Sequence, residues 1–149
     1  PKSLDINQVI AQSLNELSTL IDEKNAEFTY QEMPIIEGEE SLLSNVFYQL
    51  IHNALHYQPP GNQPKIHIGV EELEKEWRFC ITDNGIGITA NLSDKIFKMF
   101  RRGVSHKHYE GAGTGLTFAK RIINKYHGDI WFESIKGQGS SFYFTLSKC

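Results

Sequence analysis

The chain has few cysteines, few prolines and no long apolar run, and its charge is not biased to one sign. Only two cysteines occur in 149 residues, Cys80 inside an apolar stretch and Cys149 at the end. This usage does not favour a disulfide framework, and a reducing cytoplasm fits it. No apolar segment approaches the ~20 residues that a membrane helix needs. The formal net charge of −3 leaves no basic field of the kind that general nucleic-acid or membrane-surface binding uses. No internal repeat and no low-complexity tract is present. No secretory signal opens the chain, and a first residue of Pro1 in place of Met suggests part of something longer. What remains is a composition that is 40% apolar and 22% charged, enough for one ordinary folded domain over residues 1–149.

Apolar periodicity then divides the chain. Ile6, Val9, Ile10, Leu14, Leu17, Leu20 and Ile21 recur at helical spacing and predict one amphipathic helix ending near Asn25. Ala26 to Glu32 reads as a short strand, broken by Met33-Pro34, and Ile35 to Glu39 as another extended piece. Leu42, Leu43, Val46, Phe47, Leu50, Ile51, Ala54 and Leu55 form the wide apolar face of a second helix, Glu39 to Tyr57, stopped by Pro59-Pro60-Gly61. Ile66 to Val70 and Trp77 to Asp83 alternate as the two arms of a hairpin. Ser93 to Phe100 reads as a short helical piece. Arg101 to Gly115 has no periodicity and four glycines, the mark of a lid or binding loop. A further helix begins near Thr114-Gly115 and stops at Gly128, and two strands, Asp129 to Ser134 and Ser141 to Leu146, close the chain. Helices segregated from a mostly antiparallel sheet predict an α+β two-layer sandwich.

Five segments carry chemistry. The apolar run ending in Asp83-Asn84-Gly85-Ile86-Gly87 delivers a carboxylate acceptor to a strand end, beside backbone that a flat ligand can approach. Alone it could be a hairpin turn. Gln49, Asn53 and His56/Tyr57 share one side of the second helix, and Asn53 interrupts apolar neighbours. Its amide oxygen is a neutral hard ligand of the kind that suits Mg²⁺, although a surface or capping role fits the helix equally well. Phe97 and Phe100 precede Arg101-Arg102, where a guanidinium fork could hold a phosphoryl group or simply end a solvated turn. Gly111-Ala112-Gly113-Thr114-Gly115-Leu116 runs into a helix, whose N-terminus favours anions. It is neither a P-loop nor a Rossmann fingerprint, since Leu116 stands where the last glycine belongs. Gly137-Gln138-Gly139-Ser140 is a turn with hydroxyls following.

In this order and spacing the five segments resemble the ATP-binding domain of histidine kinases in the GHKL superfamily, whose other branches include gyrase-type, chaperone-type and MutL-type ATPases. The resemblance runs from Leu4 to Leu146, and the segments around Tyr109 and Phe142 are similar to phytochrome-like sensor kinases. It implies a Bergerat-type fold with about five strands and three helices on one face, with ATP and Mg²⁺ as cofactors. It further implies that Asp83 accepts the adenine amino group, that Gly85 and Gly87 lie against the purine, and that Asn53 ligates the metal. Tyr57 would lie near the ribose or base, and His56 toward phosphate. Gly111, Gly113, Thr114, Gly115 and Leu116 would surround the phosphates, Arg102 would reach the γ-phosphate, and Ser140 would stand near adenine. The chain departs from the family at Gln49, often Asn there, and at His56, often Lys.

Gln49 also discriminates between branches. Hydrolytic members carry a glutamate at this point to activate water, and an amide cannot take a proton. A neutral imidazole needs no such base. The resemblance therefore implies a protein-histidine kinase domain, monomeric by itself and cytoplasmic, its parent tethered to a membrane or not. The acceptor histidine would lie on a dimerisation domain outside the chain, with a response regulator receiving the phosphoryl group afterwards. Alternatives are another GHKL ATPase or serine kinase, and a degenerate nucleotide-binding module. His52 and His56 sit at metal-ligand spacing, but no third ligand accompanies them.

Overall fold

In the computed structural model, residues 2–56, 58–59, 61–85, 112–135 and 139–148 are described. The chain opens on a strand that its sequence does not announce. β1 (Lys2–Asp5) pairs antiparallel with β3 (Ile35–Gly38), matching Leu4 with Ile36, both buried. Four residues with one inward apolar side chain are too short to show a period.

Asp5 caps α1 (Ile6–Glu16), its carboxylate accepting the Asn7 N–H at 2.9 Å. The single first helix expected from periodicity is two helices. Leu17 departs from helical geometry at φ −96° and ψ 10°, and α2 (Ser18–Lys24) resumes beyond it. Leu17 is buried at the joint, and Leu14, Leu20 and Ile21 pack on the same core. The apolar stripe thus runs through the break and conceals it. Asn25, in the left-handed conformation, ends α2.

α3 (Glu40–His56) matches the expected second helix closely, burying Leu43, Val46, Phe47, Leu50, Ile51, Ala54 and Leu55. β4 (Lys65–Glu72) and β5 (Glu76–Asp83) form the hairpin, longer by three residues on the first arm and by one on the second than the alternation suggests. α4 (Ala112–Lys125) begins before the expected start, so Gly113, Thr114 and Gly115 occupy its first turn. N–H groups there have no partner within the helix, so glycine is tolerated at little cost. The left-handed residue after α4 is His127 (φ 58°), not Gly128. Gly128 is needed for a different reason: a Cβ there would stand 1.8 Å from the Thr145 carbonyl oxygen.

β2 (Glu27–Tyr30), β4, β5, β7 (Gly139–Ser147) and β6 (Ile130–Ile135) lie side by side in that order, with β2 parallel to β4 and the other pairs antiparallel. α3 packs on β5 and between α1 and α4, giving the expected two-layer α+β sandwich. At its centre Phe47 of α3 meets Phe79 and Phe144 edge-on, with centroids 5.5 and 5.3 Å away. Phe47→Ala should therefore cost about 3–5 kcal/mol in urea unfolding. A loss under about 0.5 kcal/mol, typical of surface changes, would contradict this packing. Among the described residues no helix is long and apolar enough to cross a membrane.

Candidate functional site

Period-2 alternation puts Phe79, Ile81 and Asp83 on one face of β5, and all three are buried. The face that meets the helix layer therefore ends in a carboxylate, only 6% exposed. The register places Ser140 of β7 opposite it. Asp83 Oδ2 accepts the Ser140 hydroxyl at 2.9 Å, and Oδ1 accepts the Gly85 N–H at 2.8 Å. Burial pushes the Asp83 pKa up from its ordinary 3.8, opposed by the Gly85 N–H and by the hydroxyl and N–H of Ser140. A carboxylate has about four lone-pair positions. These side-chain and turn contacts leave acceptor capacity for a donor on a ligand, beside a glycine with no side chain to obstruct it.

Gly139 makes this junction possible. Its φ is +103°, and a Cβ there would stand 2.0 Å from the Asp83 carbonyl oxygen. β7 can begin against the Asp83 turn only with glycine at that position. Asn84, passed over as a turn residue in the sequence, ties the turn to the start of β4. Its Oδ1 accepts the Lys65 N–H at 2.8 Å, and its Nδ2 donates to the Gln63 carbonyl at 3.1 Å. An asparagine after an acid at a strand end carries no sequence signal that separates this role from ordinary turn preference.

On α3, Asn53 is 3% exposed within an apolar helix face. Its Oδ1 has no hydrogen-bond partner among the described residues. A buried amide oxygen left unpaired costs about 1–3 kcal/mol unless something binds it. A hard cation is one chemistry that fits this neutral oxygen. Gln49, one turn earlier, lines an open cavity of about 600 Å³ between α1 and α3, with Gln12, Glu16, Glu40 and Tyr48 among its walls. His56 ends the helix, exposed, in a run of near-parallel rings: Tyr48 to His52 at 6.1 Å and His52 to His56 at 6.2 Å. Burial lowers the His52 pKa, helped by the neighbouring His56 and Lys24.

Leu116 is buried in α4, just past the glycine-rich turn. The described structure thus brings Asp83, Gly85 and Ser140 into direct contact and sets Asn53 on the helix layer that their strand faces. Tyr57, Gly87, Arg102 and Gly111 lie outside the described residues, as does the stretch from Phe97 through the expected lid up to Gly111, whereas the lid's last four residues, expected as loop, are helix in the first turn of α4.

The family of histidine kinase-, DNA gyrase B- and HSP90-like ATPases matches residues 38–148. Cyanobacterial phytochrome A of Nostoc sp. is 39% identical over 142 residues, covering 95% of this chain and 18% of the phytochrome. Adaptive-response sensory kinase SasA of Thermosynechococcus vestitus is 30% identical over 149 residues, covering 97% of this chain and 39% of the kinase. The chain therefore spans less than two fifths of either relative. Among solved structures, a nucleotide-free catalytic domain of histidine kinase ThkA superposes with a TM-score of 0.79 at 25% identity, covering 99% of this chain and 95% of that one.

Proposed function

The chain belongs to the family of histidine kinase-, DNA gyrase B- and HSP90-like ATPases, as a sensor histidine kinase catalytic domain, and from this we propose that it binds Mg·ATP and phosphorylates a histidine on a separate dimerisation domain. The observation that carries the reading is the buried Asp83 carboxylate, held by Gly85 and Ser140 with acceptor capacity to spare. In this role Asp83 accepts the adenine amino group, and Gly85 and Gly87 admit the ring edge-on. Tyr57 lies by the ribose. Asn53 Oδ1 ligates Mg²⁺, which supplies charge neutralisation at the phosphates when bound. The first turn of α4, with Gly113, Thr114 and Gly115, offers N–H groups to the phosphates, together with Gly111 and Leu116. His56 lends charge there only when protonated. Arg102 stabilises charge on the γ-phosphoryl group as its bond to ADP breaks and a bond to the acceptor imidazole forms.

Gln49 favours the kinase over the hydrolase, because an amide at the water-activating position cannot act as a base. Receipt of the phosphoryl group by a response regulator aspartate follows the same reading, as does a monomeric domain facing the ATP-containing cytoplasm. Calorimetry with Mg·ADP and Mg·GDP tests the base assignment. Adenine nucleotide should bind more than about tenfold tighter, since a carboxylate placed to pair the adenine 6-amino group meets a carbonyl oxygen at that position of guanine. Equal affinities would refute Asp83 as the base reader.

A further inference from the structure

We propose that Asn84 is a positioning residue for base recognition, locking the Asp83 turn to the loop that follows α3. The inference rests on the nucleotide reading of Asp83. The β4–β5 ladder ends at the pair Ile66 and Asp83. One step further, Lys65 would face Asn84, but there the backbone leaves the ladder to form the turn. The Asn84 side chain takes over the missing pairing. Its Oδ1 accepts the Lys65 N–H at 2.8 Å, and its Nδ2 donates to the Gln63 carbonyl at 3.1 Å. Both ends of one amide are used, so the turn is held in position and in orientation.

The segment it grips is itself anchored on α3. Gln58 Nε2 donates to the Ala54 carbonyl at 3.0 Å, and Asn62 Nδ2 donates to Gln58 Oε1 at 2.7 Å. Ala54 is the neighbour of Asn53. A linkage therefore runs from the helix that carries Asn53 through the Gln58 and Asn62 side chains, along the backbone to Gln63, and through the Asn84 side chain to the turn that carries Asp83. It sets where the base-reading carboxylate stands relative to that helix. Gly85, whose N–H holds Asp83 Oδ1, follows Asn84 directly, so a shift at Asn84 moves both the carboxylate and its donor. Recognition of a flat base depends on placement to within about 1 Å.

Calorimetry with Mg·ADP and Mg·GDP, alongside thermal melts, tests the role in the intact chain. Asn84→Ala should lower the adenine-over-guanine preference about five- to tenfold, the scale of one to two lost hydrogen bonds. Asn84→Asp keeps the acceptor for Lys65 but loses the donor to Gln63, and should fall between wild type and Asn84→Ala. It also serves if Asn84→Ala does not fold. In an Asp83→Asn background, Asn84→Ala should change the preference no further, because both act at one contact. An undiminished preference in Asn84→Ala, whatever its melting temperature, overturns the proposal alone, as does an equal loss in the Asp83→Asn background. A wild-type chain with no adenine preference overturns the nucleotide reading itself and this inference with it.

Discussion

Asp83→Asn should lose about ten- to hundredfold in affinity for adenine nucleotides while the unliganded domain remains at least as stable at neutral pH. The affinity loss follows from replacing a charged acceptor by an amide; hydrogen bonds to charged groups contribute about 1.5–3 kcal/mol. The stability expectation follows from burial. The folded-state pKa of Asp83 lies above its ordinary 3.8. Between those two values the folded chain holds a proton that the unfolded chain has released. Stability therefore falls as pH rises through that window, and at neutral pH the ionised carboxylate sits at a net disadvantage to the fold. An asparagine removes the charge and keeps the geometry. Its oxygen can still accept the Gly85 N–H and its NH₂ can donate to the Ser140 hydroxyl oxygen, so that of the three donors only the Ser140 N–H loses its side-chain acceptor. Melts of both proteins from acid to neutral pH should show the variant gaining on wild type as pH rises. A variant less stable than wild type at pH 7 would contradict this account, as would unchanged nucleotide affinity. A carboxylate that weakens the fold is the pattern expected of a residue retained for binding.

Asn53→Ala should sharply reduce the dependence of nucleotide affinity on Mg²⁺. In wild type, adding Mg²⁺ should tighten ATP binding. In the variant that increment should fall by about ten- to hundredfold, because losing a ligand matters at least as much as losing the groups that orient one. Affinity without Mg²⁺ should change little. The buried oxygen with no partner motivates the expectation and adds a second one. Removing an unsatisfied polar group relieves its desolvation penalty, so the unliganded variant should not suffer the loss typical of a buried substitution. Calorimetry with and without Mg²⁺ reads the first point and thermal melts the second. A Mg²⁺ increment equal to that of wild type would remove Asn53 from the metal site.

The residues behind these two predictions were legible in the sequence for one reason: each is a polar residue where periodicity demands an apolar one. Asp83 ends the inward face of β5, and Asn53 interrupts the inward face of α3. Long periodic elements were legible for the same reason, and α3 and the β4–β5 hairpin came out close to their bounds. β1 was not, because four residues hold no period. The break at Leu17 was not, because the buried stripe continues across it. Asn84 was hidden by its ordinariness in a turn, and only its partners Lys65 and Gln63 reveal it. Gly128 and Gly139 were legible as glycines but not as contacts. Their need comes from backbone that approaches from β7 and β5, nearby only in the fold. Arg102, Gly87 and the expected lid up to Gly111 fall outside the described residues, and their roles rest on the sequence pattern.

Transfer of label from γ-labelled ATP to a separately supplied dimerisation domain tests the central claim most directly. The account predicts acid-labile label on a histidine of that domain, dependent on Mg²⁺ and lost with Asp83→Asn. Tight ATP binding without label on that domain, or steady phosphate release in its absence, would contradict it.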